Sequence, residues 1–171
     1  MATAEIRVLT LEAQPLTAEA WAPFGWLPVA DTDPADGRDT LHFEWADPHL
    51  NVIGHGYDEV PHSDRGARCE IMYRHDTHTQ ALMALNCDSI LAVAPAQLDF
   101  SNPADLDAIR AFHLHPLEAL VLHRGTWHWG PFPIDKEPVR LLNVQGLRYA
   151  EDNAHVELPA AAGAVVEVVV G

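Results

Sequence analysis

The side chains best suited to chemistry fall in two short patches of the chain. The first is Tyr73-Arg74-His75-Asp76-Thr77-His78-Thr79-Gln80, and the second is His123-Arg124-Gly125-Thr126-Trp127-His128. Imidazole is the side chain whose ordinary pKa lies nearest neutral pH, so His75, His128 and His123 are the candidates for moving protons. Period-two alternation puts Tyr73 and His75 on one face of a strand. A turn near Asp76-Thr77 then brings the next strand, carrying Gln80, back towards them. Gly125 permits a tight turn between two strands, and His128 follows it. With a formal net charge of -15, the chain can take a small anionic substrate only if the pocket carries its own cations, so its arginines are the residues to follow.

The elements that must position these side chains are short. The 13 prolines and 10 glycines are scattered singly between short apolar runs, a pattern of many strands and turns. Strands are predicted over 6–11, 41–45, 50–57, 67–75, 78–85, 89–94, 108–115, 117–123, 138–146 and 164–170. Thr17 can cap a short helix through Ala18-Glu19-Ala20-Trp21 that Pro23 and Gly25 end, and Asn102-Pro103 opens a second over 103–109. Residues 31–40 read as an exposed aspartate-rich loop. No linker divides the chain, so residues 1–171 are expected to form one all-β domain, a barrel or double-sheet jelly roll with one or two short helices.

Several classes of function are excluded by composition. An acidic chain lacks the basic face that nucleic-acid phosphates require, and the same charge disfavours anionic membrane surfaces. No apolar run approaches a membrane span, and residues 1–7 lack a signal core, which together point to the cytoplasm. Cys69 and Cys87 have no metal-type spacing and read as reduced, buried thiols. His42, His49, His55, His62, His113, His115 and His155 read as structural or solvated.

The spacings resemble the two cupin motifs. Tyr73, His75 and Gln80 fall where the first motif has His, His and Glu, and Gly125 and His128 fall where the second has Gly and His. That likeness implies a cupin-type barrel and leaves room for a divalent metal on His75, Gln80 and His128. The missing carboxylate weakens such a site. More specifically, the chain resembles the ureidoglycolate lyase family. The likeness is carried by Leu16-Thr17-Ala18-Glu19-Ala20-Trp21-Ala22-Pro23-Phe24-Gly25, by Arg74-His75 with Thr79-Gln80-Ala81, by Ile109-Arg110-Ala111-Phe112, and by His123-Arg124 with Trp127-His128. Tyr73, Leu122 and Trp129 depart from the family's usual Glu, Tyr and His.

The resemblance implies a carbon–nitrogen lyase that splits ureidoglycolate into glyoxylate and urea. Such a reaction needs a base for the carbinol proton, an acid for the departing nitrogen and a cation for the carboxylate. His75 and His128 are the acid and base in unassigned order, with His123 behind them. Arg74, Arg110, Arg124, Arg140 and Arg148 compete for the carboxylate. Tyr73, Gln80 and Trp127 complete the substrate-binding set. A homodimer is also implied, and the apolar segment Val165 to Val170 supplies a motive, since a bare strand edge invites pairing, within the fold or across the dimer. A metal cupin of other activity and a non-catalytic carboxylate-binding cupin are the competing readings.

Overall fold

The computed structural model describes residues 6–28, 44 and 47–171. The expected strand over 41–45 and the loop at 31–40 lie outside those residues, Glu44 excepted. In chain order the strands are β1 (Arg7–Glu12), β2 (Gln14–Pro15), β3 (Gly25–Trp26), β4 (Pro48–His55), β5 (Ala67–Cys69), β6 (Ile71–Arg74) and β7 (Gln80–Ala84). They continue with β8 (Ser89–Ala94), β9 (Arg110–Leu114), β10 (Ala119–Leu122), β11 (Trp127–Pro133), β12 (Val139–Gly146), β13 (Ala154–Glu157) and β14 (Ala164–Val169). Two α-helices of about one turn, α1 (Ala18–Trp21) and α2 (Leu158–Ala162), and 3₁₀ segments at Tyr57–Glu59 and Pro103–Ala108 complete the described chain. The fold is therefore all-β with short helices.

Three sheets are layered. A five-stranded sheet runs β3-β10-β7-β12-β4, a six-stranded one β13-β6-β11-β8-β9-β2, and a three-stranded one β1-β14-β5. The middle layer explains an unusual stretch of sequence. Ile90, Leu91, Ala92, Val93 and Ala94 of β8 are all buried, because successive side chains point to opposite faces and both faces are covered. Leu91 and Val93 join Leu82, Phe112, Leu120, Leu122 and Leu141 in one core. Ile90, Ala92 and Ala94 join Met72, Trp127, Val166 and Val168 in the other.

One end of the first core is closed by aromatic rings. Trp21, Phe24 and Phe112 pack with centroids 5.1 to 5.9 Å apart, and the Trp21 Nε1–H donates to the carbonyl of Val121 at 3.1 Å. The expected cap is present, with the Thr17 side chain accepting from the Ala20 backbone N–H at 3.2 Å. Gly25 follows because β3 lies so close to β10 that a Cβ there would sit 1.6 Å from the Val121 oxygen.

Of the two pairings expected for the Val165 to Val170 segment, the one within the fold is found: β14 pairs with β1 on one side and β5 on the other. Other expectations are corrected. The segment 103–109 forms a 3₁₀ helix capped by Asn102 rather than an α-helix. β11, β13 and α2 were absent from the predicted elements. In β11 the run Gly130-Pro131-Phe132-Pro133 hides the strand pattern, since its register against β8 shifts between Trp129 and Phe132. Both cysteines are free, but Cys87 is only partly buried.

Candidate active site

The two chemical patches form corners, where the chain leaves one sheet and enters the facing one. β6 lies in the six-stranded sheet and β7 in the five-stranded one, so Asp76-Thr77 does not close a hairpin. The same holds for β10 and β11 across Gly125. The corners are tied together by the Gly125 N–H, which donates to the His75 carbonyl at 2.7 Å. Gly125 has φ +74°, a left-handed conformation that a side chain would strain.

Crossing between sheets brings the candidate residues to one cavity of about 300 Å³. Tyr73, His75, Gln80 and His128 all line it, with Trp129 and Phe132 of β11 beside them. Strand pairing accounts for part of this, because His128 lies opposite both Tyr73 of β6 and Val93 of β8 and shares their face. The rings of His75 and His128 are 5.3 Å apart, and both residues are buried.

Each ring is fixed by its Nδ1. His75 Nδ1 donates to the Asp152 carbonyl at 2.6 Å, and His128 Nδ1 donates to the Thr126 carbonyl at 3.1 Å. A carbonyl can only accept, so in the neutral rings the proton sits on Nδ1 and Nε2 carries the lone pair. His78 stacks on His75 with centroids 4.7 Å apart. Its Nδ1 lies 3.3 Å from the Asp152 carboxylate, and its buried Nε2 has no partner among the described residues.

Asp152 holds the first corner. Its oxygens accept from the backbone N–H of Asp76 and Thr77, at 2.9 and 2.8 Å, and from the Thr77 hydroxyl at 2.6 Å. Burial alone would raise this carboxyl, but those hydrogen bonds outweigh it and hold the group below the usual carboxylate range.

Gln80 ends a buried amide chain. Its Nε2 donates to Asn143 Oδ1 at 2.9 Å and to Gln145 Oε1 at 3.1 Å, and Asn143 donates in turn to Asn51 at 2.7 Å. Among the described residues Gln80 Oε1 has no donor, and leaving it buried is costly unless a ligand supplies one.

Burial, with the neighbouring His75 adding to it, lowers the His128 pKa from its ordinary 6.5 to about 4. Unfolded chain therefore binds more protons than folded chain between those values. Stability should fall as pH drops from 6.5 to 4, by roughly 3 kcal/mol from this group. Denaturant titrations at pH 7 and pH 4.5 should show a smaller acid loss in His128→Gln than in the natural chain. An equal loss in both would contradict the assignment.

The other site residues expected from sequence lie elsewhere. His123 packs on Trp26 with centroids 4.3 Å apart and lines only a narrow gap behind His75, Gln80 and His128. Trp127 points to the opposite face, where its Nε1–H donates to Leu98 and Arg74 lies 4.6 Å over its ring. Among the described residues no arginine or lysine lines the cavity. Arg74 is engaged by Asp76 and the Ala96 carbonyl, Arg124 by Glu44 and the Asp76 carbonyl, and Arg148 by Asp47. Arg110 turns to the carbonyls of Asp107 and Ile109, and Arg140 is exposed on β12. Local partners, invisible to strand parity, claimed the guanidinium groups of Arg74, Arg110, Arg124 and Arg148.

Residues missed from sequence include His55 on β4, Gln145 on β12, and Tyr149 and Asn153 after it, all of which line the cavity. Asn143 and Gln145 alternate inside a strand whose other residues, the exposed Arg140 apart, are apolar, a readable signal of buried polar groups. Asp152 had no local signal.

Comparison with known proteins returns a family match. The family model described as Ureidoglycolate lyase matches residues 8–164. The ureidoglycolate lyase of Pseudomonas paraeruginosa (strain DSM 24068 / PA7) is 30% identical over 142 residues, covering 74% of this chain and 78% of that protein. The ureidoglycolate lyase of Pseudomonas fluorescens (strain Pf0-1) is 30% identical over 142 residues, covering 77% and 80%. Among solved structures, an oxalate decarboxylase variant from B. subtilis aligns at TM-score 0.42 and 13% identity, over 79% of this chain and 28% of that chain.

Proposed function

The chain belongs to the ureidoglycolate lyase family, and from that premise we propose that its cavity splits ureidoglycolate into glyoxylate and urea. The observation that carries this reading is the pair of buried histidines, each with Nδ1 tied to a carbonyl and Nε2 without a hydrogen bond among the described residues, 5.3 Å apart in one small cavity.

His128 is the base in this proposal and His75 the acid. Burial keeps His128 uncharged at neutral pH, and repulsion between the two rings favours at most one proton on the pair. His128 Nε2 takes the carbinol proton as the carbon–oxygen double bond forms. The carbon–nitrogen bond breaks, its electron pair leaves with the nitrogen, and His75 Nε2–H protonates that nitrogen to give urea. One proton is gained and one lost, so the pair resets by passing a proton from His128 to His75.

Gln80 Oε1, lacking a donor, accepts an N–H of the ureido group, which fixes the leaving group beside His75. With no arginine or lysine among the described residues that line the cavity, the carboxylate is held by the hydroxyls of Tyr73 and Tyr149 and by the Asn153 amide.

The donor types also fit a loosely held divalent ion. Nε2 of His75 and His128 and the unpartnered Gln80 Oε1 would hold it, without any carboxylate among the cavity's lining residues. Such an ion would polarise a substrate oxygen.

A product assay tests the function. Urea and glyoxylate should appear in equal amounts, above the spontaneous rate, with no ammonia. Ammonia in place of urea would replace the lyase with a hydrolase.

We also place the enzyme in the cytoplasm as a homodimer. What supports the dimer is the outer face of the five-stranded sheet, where Leu50 and Val52 of β4 are 62% and 59% exposed. No helix among the described residues is long and apolar enough to cross a membrane. Light scattering at micromolar concentration should give twice the 18.8 kDa chain mass, and Leu50→Asp with Val52→Asp should give the monomer. A monomeric natural chain would end the dimer proposal.

A further inference from the structure

At the far end of the middle sheet, two imidazoles converge on one carboxylate oxygen. His113 Nε2 lies 3.0 Å and His115 Nδ1 2.5 Å from Asp88 Oδ1, with the two rings 4.0 Å apart. The three ligand atoms all lie within 4.8 Å of one another. We propose that Asp88, His113 and His115 form a binding site for a divalent transition metal, separate from the cavity.

The strands supply the geometry. β8 and β9 are antiparallel, with Ser89 opposite Leu114 and Ile90 opposite His113. One further step of that register sets Asp88 against His115, so His113 and His115 share a face and Asp88 meets them from the neighbouring strand. The frame is firm, since Ser89 Oγ donates to the Leu114 carbonyl and the Ile134 N–H donates to the carbonyl of Asp88. Tetrahedral coordination at bonds of about 2.0–2.1 Å separates ligand atoms by roughly 3.3 Å, so side-chain rotation alone can admit the ion.

Chemistry selects the metal. Two imidazoles and one carboxylate suit Zn²⁺, Ni²⁺ or Cu²⁺, whereas Mg²⁺ and Ca²⁺ prefer oxygen donors throughout. The local field favours cations, because Asp135 and Glu137 act on the adjoining Cys87 together with Asp88. Asp88 and His115 are half exposed, so water completes the coordination and the ion exchanges freely. Val93, which faces His128 across the β8–β11 ladder, is five residues from Asp88, about 16 Å along the strand. The site would clamp the ends of β8 and β9.

The test removes the cavity first. Protein carrying His75→Ala and His128→Ala, freed of metal by chelation, is titrated with Zn²⁺ by calorimetry and with Cu²⁺ by paramagnetic resonance. One ion per chain is expected, with two-nitrogen coupling in the copper spectrum. Adding His113→Ala and His115→Ala should abolish both. Asp88→Asn, which nearly preserves shape, should weaken binding and the rise in Tm that Zn²⁺ produces. Ca²⁺ should produce no such rise. Zn²⁺ uptake that survives loss of His113 and His115, or no uptake by the first variant, would overturn the proposal. Neither outcome depends on ureidoglycolate cleavage.

Discussion

His128→Ala is expected to lower urea release from ureidoglycolate by about 10²–10⁴-fold, and His75→Ala by a comparable factor, the usual cost of removing a positioned acid or base. The loss should fall on kcat more than on KM, because the proton moves only in the transition state. Removing both should cost little more than removing the worse single one, since the pair works as a unit. In the natural enzyme the rate should decline at low pH as His128, with its pKa near 4, becomes protonated. His128→Gln can keep a donor towards the Thr126 carbonyl but cannot accept and release a proton, so it should fold and remain slow. A folded His128→Gln with the natural rate would remove His128 from the chemistry.

Trp21→Ala should destabilise the fold by about 3–5 kcal/mol, measured by denaturant titration at neutral pH. Trp21 is fully buried, packs edge-on against Phe112 and donates to the Val121 carbonyl. The substitution leaves a large void and removes the indole hydrogen bond to that carbonyl. The site should feel it, because β10 leads directly into the corner that holds Gly125 and His128. Phe24 makes the link explicit: its carbonyl accepts from the His123 N–H and the Thr126 hydroxyl. Trp21→Phe, which keeps most of the ring contacts, should cost clearly less. A loss below about 1 kcal/mol for Trp21→Ala would mean that this aromatic end does not brace the barrel.

The sequence made the site partly legible because His75, Gln80 and His128 sit at fixed steps from two turns. Such steps survive whether the turn closes a hairpin or crosses between sheets, so their convergence on one cavity could be read without the topology. The arginines could not be read this way. Their long side chains were claimed by Asp76, Glu44, Asp47 and backbone carbonyls, contacts set by folding rather than by spacing. Asp152 and the cavity residues Tyr149 and Asn153 were hidden for the same reason, since they reach the site from the segment between β12 and β13. The Val165 to Val170 run was legible as a strand that had to be paired, but not which strands would flank it. Parallel pairing of the first strand with the last leaves no local trace in either.

The cavity's assignment is tested most directly by following urea and glyoxylate from ureidoglycolate by NMR. The natural chain is set against its His75→Ala/His128→Ala variant, with both shown to be folded. The natural chain should release both products well above the spontaneous rate, and the variant should fall to that rate. Equal release by the two proteins would contradict the account.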